Sequence, residues 1–446
     1  MVSVCMYFQV HQPHRLRQYN IFDIGKHQQY FDDEKNREIL LRVARKCYIP
    51  ATNLIYNKIN QLGGKFRVSY SLTGTFLEQA QKFCPELIRL FQKLAKTGCC
   101  EFLSETYYHS LAALYNEEEF KQQVGMHKKL MKDLFGQSPK VFRNTELIFT
   151  NRIAQIVEQM GYKAIIAEGT EKILSWRSPN YLYQPAGTRK IKALLKNYRL
   201  SDDIAFRFGN KEWKAYPLTA PQFAQWVSAD QSSHCINLFM DYETFGEHQW
   251  ATTGIFKFLE HMPNEVLSHP NNEFLTPSQV ADKYQPVGEI DAPYPVSWAD
   301  VERDTSAWTG NDMQRSSLAK LYLLKDEVES LQDPEALEIW RKLQTSDHFY
   351  YMCTKWFADG DVHKYFNPYE SPYESYITMM NVLNDFAIMR QKKRREMTAS
   401  SLSDSEAELD TQAQESLQPE AALEEFQTQL VPDAVPELQE SSVILS

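Results

Sequence analysis

Seven short runs of apolar, β-branched and aromatic residues punctuate the first half of the chain. They are Val2–Val10, Phe66–Leu72, Cys99–Leu103, Lys140–Asn144, Lys163–Ala167, Ile191–Lys196 and His234–Asp241. Each has the length of a strand. They are apolar rather than strictly alternating, as strands buried on both faces are. Between several of them the period changes to about 3.6 residues. Glu86–Lys96 (ELIRLFQKLAK) is amphipathic at that spacing, and Glu118–Leu134 and Asn151–Met160 read the same way. Strands alternating with helices predict a parallel sheet with right-handed crossovers. Seven such units predict an α/β fold, an incomplete (β/α)7 TIM-like barrel over residues 1–290. A doubly wound open sheet is the alternative.

From residue 291 to 395 the pattern becomes mostly helical and predicts a helical region packed on the barrel and completing its site. Ser297–Gln314 carries Trp298, Asp304 and Trp308, while Ser316–Leu331, Pro334–Thr345 and Tyr376–Lys392 look helical. Tyr365, Phe366, Tyr369, Tyr373 and Tyr376 mark an aromatic, proline-containing loop. Residues 396–446 are rich in Ser, Glu, Gln and Ala with few large hydrophobics, which predicts a disordered acidic tail. A short partner-binding helix around Ala421–Leu430 is a second reading of that tail.

Charge changes the picture only through the tail. The net charge is −10, but residues 397–446 hold eleven Asp and Glu and no Lys or Arg, so the remainder carries +1. That balance gives no electrostatic footprint for nucleic acid. No stretch approaches the length of a membrane-spanning helix, and the start lacks the basic segment of a secretion signal. The seven cysteines show no zinc spacing, and several sit in apolar runs, which suggests a reducing, cytoplasmic setting. No cofactor or metal is expected. Aromatics make up 13% of the chain, which suits stacking on sugar rings as well as core packing.

In a barrel of this kind the chemistry sits on the loops that follow the strands' C-terminal ends. Reading those positions off gives His11, Thr73 to Thr75, Glu105 to His109, Glu146, Glu168, and then Asp241, Glu243, Glu247 and His248. One face of the barrel therefore collects carboxylates and imidazoles. In FMDYETFGEHQ (Phe239–Gln249) an apolar strand ends in three acidic residues and a His, an arrangement costly to bury unless used or paired. Period-two alternation puts Asp241 and Glu243 on one side, away from Tyr242. A structural ion-pair network is the plainer account. In VFRNTELIFT (Val141–Thr150), Glu146 follows a strand with Arg143 three residues before it. A buried arginine would keep that carboxylate ionised, as a nucleophile requires, although a simple salt bridge reads the same way. Glycoside hydrolysis with retention needs two such carboxyl groups about 5–5.5 Å apart, one ionised and one protonated.

These segments resemble glycoside hydrolase family 57, whose members include α-amylases, 4-α-glucanotransferases and branching enzymes. Five short motifs describe the family, and counterparts occur here in order. They are HQP at His11–Pro13, CEFLSETYYHS at Cys100–Ser110, FRNTELIFT at Phe142–Thr150, FMDYETFGEH at Phe239–His248 and LQTSDHFYYM at Leu343–Met352. The resemblance covers roughly residues 1–390 and is nearest the α-amylase-like branch. It implies Glu146 as nucleophile and Asp241 as general acid/base, on an α-1,4-glucan substrate. His11, His109, Glu243 and Asp347, with Trp298 and His348, are implied to line the substrate site. One departure stands out: Gln9 occupies a position where many members carry histidine.

Three other readings compete. A 4-α-glucanotransferase would use the same residues. A metal-dependent hydrolase or deacetylase would draw on His11, His109, His248 and Asp241. An α-glucan-binding protein with weak or no turnover would keep the site without the chemistry.

Overall fold

The computed structural model describes residues 2–355 and 367–416. The chain divides into two units, Met1–Arg390 and Gln391–Ser446. Within the first, each of the seven apolar runs forms a strand: β1 (Val2–Val10), β2 (Val68–Leu72), β3 (Cys100–Phe102), β4 (Val141–Arg143), β5 (Ala164–Glu168), β6 (Lys192–Lys196) and β7 (Cys235–Asp241). All pairings among them are parallel, in the orders β3-β2-β1-β7 and β4-β5-β6.

Backbone hydrogen bonds join the two sets at both ends. Ser104 N donates to the Val141 carbonyl at 3.0 Å and Arg143 N to the Ser104 carbonyl at 2.8 Å, linking the ends of β3 and β4. Asn197 N donates to the Asn237 carbonyl at 2.9 Å, and the Asn237 side-chain amide adds a bond to the Leu195 carbonyl at 2.8 Å, linking β6 and β7. This topology is consistent with a (β/α)7 barrel. A three-residue strand, Asn272–Phe274, also pairs with β1 near its start.

Alternation along the strands separates two environments. Val4, Met6, Phe8 and Val10 of β1, with Ile236, Leu238 and Met240 of β7, pack against surrounding helices. Cys5 and Tyr7, with Val141, Ala164, Ile166, Leu194, Cys235 and Phe239, share a separate interior cluster. Continuing each interior series by two residues reaches Gln9, Arg143, Glu168, Lys196 and Asp241. The barrel interior is thus apolar below and charged at its mouth.

The amphipathic segments fold as predicted, within a residue or two. Pro85–Lys96 buries Leu87, Ile88, Leu90, Phe91 and Leu94. At about 1.5–3 kcal/mol per fully buried large apolar side chain, that face outweighs any helix-propensity term. The region after residue 291 differs in its first part. Residues 297–305 are turns with Asp300 and Arg303 at positive φ, and helices begin only at Ser306–Thr309 and Asp312–Leu323. Met379, Val382, Leu383 and Phe386 then pack with Trp308 and Trp340 in a third cluster.

The start of the tail is helical. Its composition predicts disorder from Met397 onward, whereas the last described helix runs Pro372–Ser416. Ala, Leu, Glu and Gln of residues 397–416 are good helix formers, so the backbone can stay helical where large hydrophobics are few. Ala421–Leu430, Tyr365 and Phe366 lie outside the described residues. No described helix is long and apolar enough to cross a membrane, and all seven cysteines are free.

Candidate active site

Glu146 sits in the turn that follows β4, with φ +56° and ψ +28°, and Leu147 after it has φ +51°. Such backbone costs on the order of 1–3 kcal/mol per non-glycine residue and persists only where surroundings enforce it. Here they do. Phe149 exchanges backbone hydrogen bonds with Val296 at 2.9 and 3.1 Å, and Trp298 N donates to the Glu146 carbonyl at 3.3 Å. The turn is thereby stitched to a segment far along the chain. The Trp298 indole N–H donates to Glu146 Oε2 at 2.7 Å, and His109 Nε2 meets Oε1 at 2.9 Å. Both oxygens of the carboxylate are held.

His109, itself at φ +52°, is gripped from the other side: its Nδ1 lies 3.2 Å from Glu105 Oε2. Glu105 is fully buried, takes hydrogen bonds from the Gln9 amide at 3.3 and 3.4 Å, and lies 3.7 Å from Arg143. Tyr7 in turn donates to Gln9 Oε1 at 2.5 Å. Gln9, the departure from the family pattern, therefore supports the carboxylate behind His109. Burial opposes charge on this histidine, but the two flanking carboxylates prevail and push it up to about 9. At neutral pH His109 is an imidazolium between two carboxylates.

The electrostatics separate the carboxyl groups at the mouth. Burial raises Glu146, but contact with His109, then Arg143 and Trp298, outweighs it and holds the group below its ordinary value. Asp241 ends β7 and pairs in register with Gln9. Burial and then the negative charge of Glu146 push it up to about 6, against the pull of Arg143, Lys196 and His109. Two residues on, Glu243 is raised to about 8 by burial and by Asp241, and is hydrogen-bonded to the Tyr48 hydroxyl. Tyr48 also accepts from Gln12 at 3.1 Å.

His11 stacks on His109 with ring centroids 4.0 Å apart. Its Nδ1 meets Thr73 at 3.0 Å and its Nε2 meets Asp347 at 2.8 Å. Burial and the His109 charge lower His11, so it stays neutral, and Asp347 is held well below the usual carboxylate range by His11 despite its burial. The segment bearing Asp347 docks on the second motif through Ser346 N to the His109 carbonyl at 2.9 Å.

Direct contacts thus bring together His11, His109, Glu146, Trp298 and Asp347, with Asp241 and Glu243 beside them. His348 is 2% exposed and pushed down to about 4 by burial, and no hydrogen bond links it to those seven. Glu168 and Glu247 are structural: Glu168 pairs with Lys196 and Arg303 at 3.7 and 3.1 Å, and Glu247 with Arg42 and Lys46 at 3.5 and 3.6 Å. Arg143 and Lys196 both lie over the Trp298 ring, 5.1 and 5.3 Å from its centre. Tyr48, Lys196 and Arg303 were not predicted. The inward alternation of β6 was the signal for Lys196; the other two carried none. No group of three or more His, Cys, Asp or Glu among the described residues could hold a metal ion. The four ring nitrogens of His11 and His109 are instead committed to Thr73, Asp347, Glu105 and Glu146.

A parallel α/β scaffold with several acidic side chains at its charged mouth is compatible with many chemistries, and comparison with known proteins supplies the class. The profile of Glycosyl hydrolase family 57 matches residues 5–293, and the chain belongs to that family. A Methanocaldococcus jannaschii protein named "Putative alpha-amylase" is 47% identical over 391 residues, covering 85% of this chain and 83% of its own. Among solved structures, a family 57 branching enzyme from Thermococcus kodakaraensis superposes with a TM-score of 0.62 at 13% identity, over 86% of this chain and 88% of its own. A 4-α-glucanotransferase from Thermococcus litoralis gives a TM-score of 0.61 at 15% identity, over 78% of this chain and 56% of its own. These two likenesses show the shared fold.

Proposed function

We propose that the chain is a retaining glycosidase of the α-amylase type acting on α-1,4-glucans, with Glu146 as nucleophile and Asp241 as general acid/base. The observation that carries this reading is the opposite displacement of the two carboxyl groups: Glu146 is held ionised, and Asp241 is raised to about 6. Two carboxyl groups driven apart in this way supply a nucleophile and, up to about pH 6, a proton donor.

The steps follow from the charges. Asp241 gives its proton to the glycosidic oxygen as Glu146 attacks the anomeric carbon, forming a glycosyl ester. Trp298 and His109, each donating to one Glu146 oxygen, fix the carboxylate before attack. Esterification removes the negative charge that had raised Asp241. Its pKa then falls, and it serves as base toward water in the second step. Glu243, protonated at neutral pH, keeps a further negative charge away from Asp241. His11 orients Asp347 through its Nε2 contact at 2.8 Å, and Asp347 offers a polar contact to sugar hydroxyls.

Replacing either carboxyl group tests the assignment. Asp241→Asn should lose about 10²–10⁴ in turnover of maltodextrins, and Glu146→Gln should abolish ester formation. Full α-glucan cleavage by either variant would overturn the roles.

A further inference from the structure

We propose that the cleft beside His14 is a second α-glucan-binding site, distinct from the catalytic mouth. It rests on the α-glucan reading above. The cleft holds about 550 Å³ and is walled by His14, Arg17, Phe31, Glu78, Lys82 and Lys342, among others. That volume lies within the roughly 300–1,000 Å³ typical of small-ligand sites.

Its chemistry points to a neutral polyhydroxyl ligand. The walls carry charges of both signs, and most are already matched. Lys82 pairs with Asp33 at 2.6 Å, Lys342 with Glu338 at 2.5 Å and with Glu78 at 3.8 Å, and His14 with Glu78 at 2.8 Å. A cation would have to break these pairs, and an anion would be left with Arg17, whose guanidinium already donates to a backbone carbonyl at 3.3 Å. A sugar would meet fixed planar donors and acceptors without any change of charge. Phe31 adds an aromatic surface, held by Arg17 donating to its carbonyl at 3.3 Å.

The cleft is tied to the candidate active site by short covalent and hydrogen-bonded paths. His14 lies three residues after His11, and Glu78 takes a hydrogen bond from Tyr107 at 3.0 Å, two residues before His109. A glucan anchored there would stay beside the mouth between cleavages.

Calorimetric titration of the Glu146→Gln protein with maltotriose tests this. Two binding events are expected. Arg17→Ala with Lys82→Ala should abolish one and leave the other. Gln29→Trp, which fills the cleft from an exposed position on its rim, should do the same by a different route. Thermal melts of each variant report folding. A single binding event in the Glu146→Gln protein, or two that survive both variants, would overturn the second site while leaving the catalytic reading intact. No binding at all would overturn the α-glucan reading and the second site with it.

Discussion

At the residue scale, two carboxyl groups at one mouth are set apart because their surroundings differ. Glu146 is ringed by donors and cations, and Asp241 by burial and a neighbouring negative charge. The free enzyme should therefore lose kcat/KM as pH rises through about 6, when Asp241 gives up its proton. The same shift has a consequence for folding. Asp241 titrates near its ordinary 3.8 when unfolded and near 6 when folded, so its buried charge destabilises the fold above pH 6 and costs nothing below pH 3.8. Asp241→Asn should raise stability by about 3 kcal/mol at pH 8 and leave it nearly unchanged at pH 3.5, measured by denaturant melts at both pH values. An equal effect at both would contradict the shift. Position in the sequence exposed Glu146, Asp241 and Arg143 because strand ends and alternation are local patterns. The Trp298–Glu146 and Tyr48–Glu243 contacts were not legible. They join residues far apart in the chain, and no local pattern encodes them.

At the element scale, the site depends on how irregular pieces meet. A π-helical turn, Ala44–Tyr48, delivers Tyr48 to Glu243 and Lys46 to Glu247. It packs so closely on the loop after β7 that a Cβ at Gly246 would lie 2.1 Å from the Lys46 carbonyl oxygen. Gly246 also has φ +114°. Gly246→Ala should cost about 3 kcal/mol or more and depress activity through Glu243. Gly125, exposed in the helix Glu117–Phe135, gives the contrast, since a Cβ there would meet nothing within 4 Å. Gly125→Ala should stabilise by about 0.5–1 kcal/mol. Denaturant unfolding of both variants checks the pair; similar losses would contradict the packing account. Strands and amphipathic helices were legible because a single period governs each. The turns at 297–305 and the run of helix to Ser416 were not, since the first is fixed by contact with Glu146 and the second by propensity without an apolar face.

At the scale of the whole molecule, the seven parallel strands place an apolar interior beneath a charged mouth, and the five motif segments converge there with the turn that bears Trp298. The family was legible from those segments in order. The choice between hydrolysis and transfer was not, because it depends on whether water or a sugar hydroxyl reaches the glycosyl ester, and that is a property of the assembled cleft. The proposed α-amylase activity predicts that maltoheptaose is converted to shorter sugars only; a ladder of longer products would identify a glucanotransferase. Both outcomes pass through the same covalent ester. The central claim is therefore tested most directly by following the anomeric protons by NMR during the first minutes of maltoheptaose cleavage. Attack by Glu146 followed by water activated by Asp241 predicts that the new reducing ends appear as the α-anomer before mutarotation. Initial appearance of the β-anomer would contradict the mechanism.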